Sequence, residues 1–237
     1  MSMVTDTSDQ IVAVTGLAKE ARIAAGPGVR AIVSGGDARR LSRALELELK
    51  RGARAVLSFG VAGGLAEGLS SGTWLVARAV VTSDRRWPCD ARWGRILAER
   101  LPESVTADLL GVDAPVTGSA AKRVLHRATG AVAVDTESHI AAPIAAAHGL
   151  PFAALRVVVD SARRDLPPVA AVAVARDGKI RSTAVLGSLA RAPGQLPSLL
   201  RTALDARAAF RALSRGRRLL GPAMACPDLG ELMLDVS

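Results

Sequence analysis

AVAVDTESHIAAPIAAAHGLPFAALRVVVD, running from Ala131 to Asp160, reads as strand, helix and strand. Ala131–Val134 is a short apolar run that ends at Asp135, with Glu137 just behind it. An alanine-rich helix follows and closes at Gly149, before Pro151. Phe152–Val159 is a second apolar run, and it too ends in an acid, Asp160. In a parallel α/β sheet the carboxyl ends of the strands share one edge, and ligands bind there. Acids arriving at that edge from neighbouring strands mark a candidate active site. A strand-ending aspartate is equally a common helix N-cap, so both readings stand at this point.

Working outward from that stretch, strands and helices alternate. Ile11–Thr15, Val29–Val33, Arg54–Phe59 and Thr73–Val81 have strand character, and Leu109–Thr117 is read as another strand. Ala38–Arg51 carries Leu41, Ala44, Leu45 and Leu49 on one face and stops at Gly52, as an amphipathic helix does. Ala120–Thr129 is a further helix. Ser83–Trp93 is expected to be an irregular loop leading into a helix near Gly94–Leu101. Beyond Asp160 come a polar loop, an alanine- and valine-rich helix, and a helix over Lys179–Leu189. Leu196–Arg218 is the last long helix. Its Leu196, Leu199, Ala203, Ala206, Phe210 and Leu213 form an apolar stripe, with Arg201, Arg211, Arg215 and Arg218 opposite. Without a break in composition, the pattern predicts one layered α/β domain over residues 11–220, a flexible N-terminus over 1–10 and a C-terminal tail over 221–237.

At 237 residues and 49% hydrophobic content, the chain can bury a large core. Every apolar run is too short to cross a bilayer. The first residues lack a basic segment followed by an apolar one, and Cys89 and Cys226 form no CxxC pattern. A cytoplasmic location is therefore expected. The net charge of +9 would suit nucleic acid, but the arginines are scattered and aromatic content is 3% with no tyrosine. Stacking platforms for single strands are missing, so nucleic acid is not the expected partner.

Motif by motif, most site chemistries fall away. Gly60, Gly63, Gly64, Gly68 and Gly72 give neither a dinucleotide fingerprint nor a Walker loop, since no GK[ST] follows. They allow close backbone approach to a ligand, or simply a tight turn between strands. Ser34-Gly35-Gly36 is similar: its hydroxyl and amides can hold an anion or cap the next helix. His126, His139 and His148 share no face and form no metal-binding pattern, so no metal is expected. What remains are the acids Glu20, Glu137 and Asp160.

IVAVTGLAKEAR, VSGGDARRL, LSFGVAGGLAEGLSSGTWLVA, VAVDTESHIAA and LRVVVDSA stand here in the order and spacing of the nucleoside phosphorylase/nucleosidase superfamily, which the chain resembles over about residues 11–190. Within it the chain looks most like the methylthioadenosine/S-adenosylhomocysteine nucleosidases, and among these the hopanoid-associated branch, which acts on adenosylhopane. The resemblance implies a three-layer α/β/α sandwich around a twisted mixed sheet, assembled into homo-oligomers, with no cofactor beyond phosphate as co-substrate if the reaction is phosphorolytic. It further implies that Glu137 hydrogen-bonds the ribose hydroxyls, Asp160 delivers a proton to purine N7, and Glu20 activates water. Asp135 then falls back to a turn or cap. Ser34 and Gly35, with Gly60, Gly63 and Gly64, match loops around the ribosyl and nucleophile sites. Thr136 stands where most relatives carry methionine against the ribose, and Ser119 lies in a segment after Thr117 that is shorter than in nucleosidase relatives.

Those roles make chemical sense by themselves. Adenine departs poorly unless protonated, so an acid near N7 lowers the barrier if burial keeps it protonated near neutrality. A carboxylate on the sugar hydroxyls fixes the ring and faces the developing positive charge. Ser58 and Val61 stand where phosphorolytic relatives carry phosphate-binding residues, which favours water as nucleophile; Arg85, Arg86 or Arg156 would have to supply a phosphate site instead. Three readings are carried forward: a nucleosidase releasing adenine, with adenosylhopane as leading substrate; a phosphorylase; and a non-catalytic nucleoside binder. A lipid-linked substrate adds two expectations. Trp87, Pro88 and Trp93 line an exit for a large 5′ group or are ordinary loop packing. The arginine face of Leu196–Arg218 rests on anionic lipid at the inner membrane face or is merely solvated.

Overall fold

In the computed structural model residues 11–167, 177–179 and 193–227 are described. The strands are β1 (Ile11–Thr15), β2 (Val29–Val33), β3 (Ala55–Gly64), β4 (Trp74–Val81), β5 (Arg86–Pro88), β6 (Val105–Gly111), β7 (Ala133–Asp135) and β8 (Phe152–Asp160). The helices are α1 (Ala18–Ala24), α2 (Ala38–Lys50), α3 (Ala91–Arg100), α4 (Ser119–Thr129), α5 (Ser138–Ala147) and α6 (Leu196–Leu220).

β2, β1, β3 and β8 run parallel to one another. β8 then pairs antiparallel with β4, β4 and β6 are parallel, β6 and β7 are parallel, and β7 returns antiparallel to the far end of β3. The mixed sheet thus curls until β3, β8, β4, β6 and β7 pair in a ring, with β2 and β5 left at the outer edges.

Alternation along the strands explains the layering. Ile11 and Ala13 of β1 point into one core, with Leu57, Phe59, Leu155 and Val157. Val12 and Val14 point into another, with Val56, Leu75 and Ala154. A strand buried on both faces needs an unbroken apolar run, and these strands have one. On the first face Trp93 and Leu97 of α3 and Phe210 and Leu213 of α6 close the core. On the second, Leu41, Leu45 and Leu49 of α2 meet Ala141, Ala142 and Ala145 of α5. Fully burying one such leucine or phenylalanine contributes about 1.5–3 kcal/mol. The expected α/β/α layering around a mixed sheet is what the chain adopts.

Several boundaries differ from expectation. β3 does not stop at Phe59 but continues through Gly64, because its glycine half pairs with β8 on one edge and β7 on the other. The sixth strand lies at Val105–Gly111 rather than Leu109–Thr117. Its register against β4 sets Leu75 opposite Val105 and turns Asp108 outward to Arg78 and Arg86. Part of the expected loop over 83–93 is β5, and α3 starts early because Asp90 accepts a hydrogen bond from Trp93 N at 2.8 Å. Of the C-terminal residues expected as tail, Ala223–Cys226 are buried and Trp93 Nε1 donates to Met224 O at 2.9 Å. Trp93 is therefore a core residue and lines no exit. The helices read after Pro167 and over Lys179–Leu189 lie outside the described residues, apart from Lys179 itself.

Candidate active site

The carboxyl ends of β1, β2, β3 and β8 share one edge, as their parallel registers require. Strand order does the gathering: Ser34 follows β2, Gly16 follows β1, Gly60–Gly64 end β3, and Arg156 and Asp160 lie on β8. β7 enters from the opposite direction and delivers Asp135, Thr136 and Glu137 to the same place.

Glu20, on the first turn of α1, is 1% exposed although ionisable. Its Oε2 accepts from Gly16 N at 2.9 Å and Leu17 N at 2.8 Å, and its Oε1 accepts from Val61 N at 2.8 Å. A carboxylate has about four acceptor sites, so Oε1 keeps one for a further donor. Burial drives the Glu20 carboxyl up to about 7, the neighbouring Arg156 charge pulling the other way and the Glu137 charge adding to the rise.

Glu137 lies over Gly16, where a Cβ would come within 2.8 Å of its Oε1. That oxygen accepts from Thr136 Oγ1 at 2.6 Å and Ser34 Oγ at 3.1 Å. Its Oε2 is 3.5 Å from Arg156 Nη2. Burial raises its pKa, Arg156 opposes the rise, and the Asp135 charge adds to it. Ser34 Oγ also accepts from Gly36 N at 3.3 Å, and Gly35 N donates to Gly16 O at 3.2 Å, which ties the β2 turn to the β1 turn.

Arg156 is the residue the sequence reading undervalued. It is fully buried within an otherwise apolar strand. Its Nη2 donates to Ser58 Oγ at 2.5 Å and Ser138 Oγ at 3.3 Å and is ion-paired with Asp135. Asp135 also accepts from Ser138 N at 3.2 Å, so it caps α5 as expected while holding the arginine. Nη1 and Nε of Arg156 are buried and make no hydrogen bond among the described residues. A Cβ built on Gly60 would lie 2.6 Å from Glu20 Oε1 and 2.8 Å from Arg156 Nη1. Glycine at this position lets an acceptor, Glu20 Oε1, and an unspent donor, Arg156 Nη1, both lie against the backbone. The clue was legible: Arg156 shares strand parity with Asp160, and a charge inside a buried strand needs partners. Arg85 and Arg86, the other candidates for an anion site, pair with Asp84 and Asp108 away from these groups.

Asp160 stands across the glycine strand, its Oδ1 3.4 Å from a Cβ built on Gly63, while Gly64 packs under its backbone carbonyl. Burial raises its pKa, against the pull of the Lys122 ammonium. Lys122 of α4 is fully buried and hydrogen-bonds Asp160 Oδ2. Nothing in the sequence reading anticipated it. The signal was its place three residues before Leu125, on the packed side of α4. Ser119 instead meets Asp165: its amide N donates to Asp165 Oδ1 at 2.5 Å. The histidines have local partners: Ala131 O for His126, Asp113 for His139 and Glu46 for His148.

A curled mixed α/β sheet with buried acids and an arginine at its strand ends is the framework of a small-molecule site built for acid–base work. The chain belongs to the phosphorylase superfamily, whose family model matches residues 13–191. Among curated proteins no sequence matches. Solved structures with a similar fold include the 5′-methylthioadenosine/S-adenosylhomocysteine nucleosidase of Helicobacter pylori, with a TM-score of 0.63 at 14% identity over 92% of this chain and 98% of that one. A putative nucleosidase of the same kind from Borrelia burgdorferi, bound to adenine, aligns with a TM-score of 0.60 at 14% identity, over 77% and 99%. Futalosine hydrolase of Helicobacter pylori aligns with a TM-score of 0.58 at 18% identity, over 78% and 98%.

Proposed function

We propose that this chain is an adenine nucleosidase that cleaves the N-glycosidic bond with water. The observation that carries the proposal is the meeting, against the backbone of Gly60, of Glu20 Oε1 and of Arg156 Nη1, which has no hydrogen-bond partner among the described residues. A water held there donates to the carboxylate and accepts from the guanidinium, which leaves its other lone pair for the sugar. Glu20, with a pKa near 7, takes the proton as the water attacks C1′. Glu137 grips the ribose hydroxyls, with Ser34 and Thr136 holding its Oε1 in place. Asp160 protonates N7 as the bonding electrons pass to the leaving base. Each acid–base contribution is worth typically ~10²–10⁴ in rate.

The N–H donors on Nη1 and Nε of Arg156, without partners among the described residues, are what would favour phosphate as nucleophile. Against that stands Glu20, whose carboxylate lies beside the same guanidinium and repels a dianion. Methylthioadenosine/S-adenosylhomocysteine nucleosidases among the structures of similar fold support an adenine nucleoside as substrate class. Adenosylhopane is the leading particular substrate, on the resemblance of the sequence to the hopanoid-associated branch. Incubating the protein with adenosine, methylthioadenosine and adenosylhopane, with and without phosphate, tests all of this. Adenine release independent of phosphate is expected, fastest from adenosylhopane. Strict phosphate dependence would overturn hydrolysis, and preference for another nucleoside would overturn the lipid substrate.

A further inference from the structure

The proposed mechanism leaves one buried titratable group without a task. Lysine is almost never fully buried unless paired, yet Lys122 has no exposed surface and is the only buried residue of α4. Its Nζ donates to Asp160 Oδ2, to Ser161 O at 3.1 Å and to Arg164 O at 3.1 Å. Three acceptors match the three N–H bonds of an ammonium and leave no place for an amine lone pair. Lys122 is thus a fixed positive charge against Oδ2 of Asp160, while Oδ1 stands 3.4 Å from a Cβ built on Gly63.

We infer that Lys122 is a positioning residue for the leaving-group acid: it clamps Oδ2 of Asp160, keeps Oδ1 for the base, and sets how readily that carboxyl gives up its proton. The inference rests on the function proposed above. In the step it describes, the C1′–N9 electron pair moves onto adenine and the proton on Asp160 Oδ1 passes to N7. The carboxylate left behind is held by the Lys122 ammonium, which keeps all its own protons. A lone buried carboxyl would hold its proton too firmly, because nothing would compensate the charge formed when it leaves. The other charges facing this pair are Arg164, four residues after Asp160 and paired with Asp205 of α6, and Asp165, which also faces Lys122.

Replacing Lys122 by Met removes the charge at similar length, Lys122→Gln removes the charge but keeps two donors, and Lys122→Arg keeps the charge. Without the cation the Asp160 carboxyl stays protonated to higher pH. The alkaline limb of kcat/KM for adenine release should therefore move up by about one unit or more in both the Met and Gln variants. kcat should fall about 10²-fold, and the Arg variant should restore the limb toward the wild-type position. 4-Nitrophenyl β-D-riboside, whose leaving group departs unprotonated, should lose far less. An unmoved limb, or equal losses on the two substrates, would overturn the inference. If the wild type releases no adenine, the proposed function itself fails. The clamp is then read without substrate, from the Asp160 carboxyl ¹³C titration assigned by Asp160→Asn. A higher midpoint in Lys122→Met supports it and an unchanged midpoint overturns it.

Discussion

In the proposed reaction Glu20 and Asp160 work from opposite protonation states, and that sets the pH response expected of the site. Glu20 must be ionised to accept a proton from water, and its pKa of about 7 means that this fraction falls as pH drops below neutrality. Asp160 must be protonated, and burial extends the range in which it is. A bell-shaped profile of kcat/KM is expected, with the acidic limb near 7; Glu20→Gln should abolish that limb along with ~10²–10⁴ of the rate. A limb that survives in Glu20→Gln would assign the base elsewhere. Asp160→Asn should lose turnover by a similar factor while adenine binding, followed by titration calorimetry, is largely kept; near-normal turnover would remove Asp160 from the mechanism. At this scale the sequence was informative about acids that end or follow strands. It was silent about Lys122, because a lysine in a helix rich in Arg and Ala reads as surface, and only the non-local Asp160 explains its burial. Arg156 was half legible: its charge within an apolar run was visible, but its partners Ser58, Asp135 and Ser138 lie far away in the chain.

Among the elements β3 departs most from its sequence reading. Five glycines between Gly60 and Gly72 suggest a loop, since propensity disfavours glycine in strands. Pairing on both edges overrides that preference, and the missing Cβ atoms are what let Glu20, Arg156 and Asp160 approach the backbone. Gly60 combines that crowding with φ of +156°, a backbone conformation side chains rarely adopt. Gly60→Ala should therefore displace Glu20 or Arg156, lowering activity by at least about tenfold and stability by about 1–3 kcal/mol. Thermal melting together with adenine release measures both, and an active, equally stable variant would contradict the geometry described for this strand. By contrast α2 was fully legible. Leu41, Leu45 and Leu49 recur every four residues after the Asp37 cap, a purely local signal that needs no distant partner.

Across the whole molecule, α6 joins a packed half to an exposed one. From Ala206 onward its stripe meets the core through Phe210 and Leu213. At the other end Leu196 and Ala203 of that stripe are exposed and Leu199 is half-buried, so the stripe expected to pack along the helix does so only in part, and Leu200 and Leu204 beside it are 57% and 64% exposed. Arg201, Arg211, Arg215 and Arg218 are exposed, as expected. No helix among the described residues is long and apolar enough to cross a membrane. Exposed leucines beside arginines are what an anionic lipid surface would engage. Sedimentation with anionic vesicles should show binding at low salt that weakens at high salt, and Leu200→Ser with Leu204→Ser should reduce it. Vesicles left unbound at low salt would dismiss a membrane role.

The ring of strands has a consequence for how the protein is made. β8 pairs with both β3 and β4, which precede it by much of the chain, and it carries Arg156 and Asp160. During synthesis the first half of the chain therefore waits with two strand edges unmatched. Such edges are the places where growing chains stick to one another. Ser34 meets Glu137 across 103 residues and Arg156 meets Ser58 across 98, so the candidate site as a whole cannot assemble from neighbouring residues alone. Contacts of this span are slow to form, and a chain still lacking β8 lacks both Arg156 and Asp160.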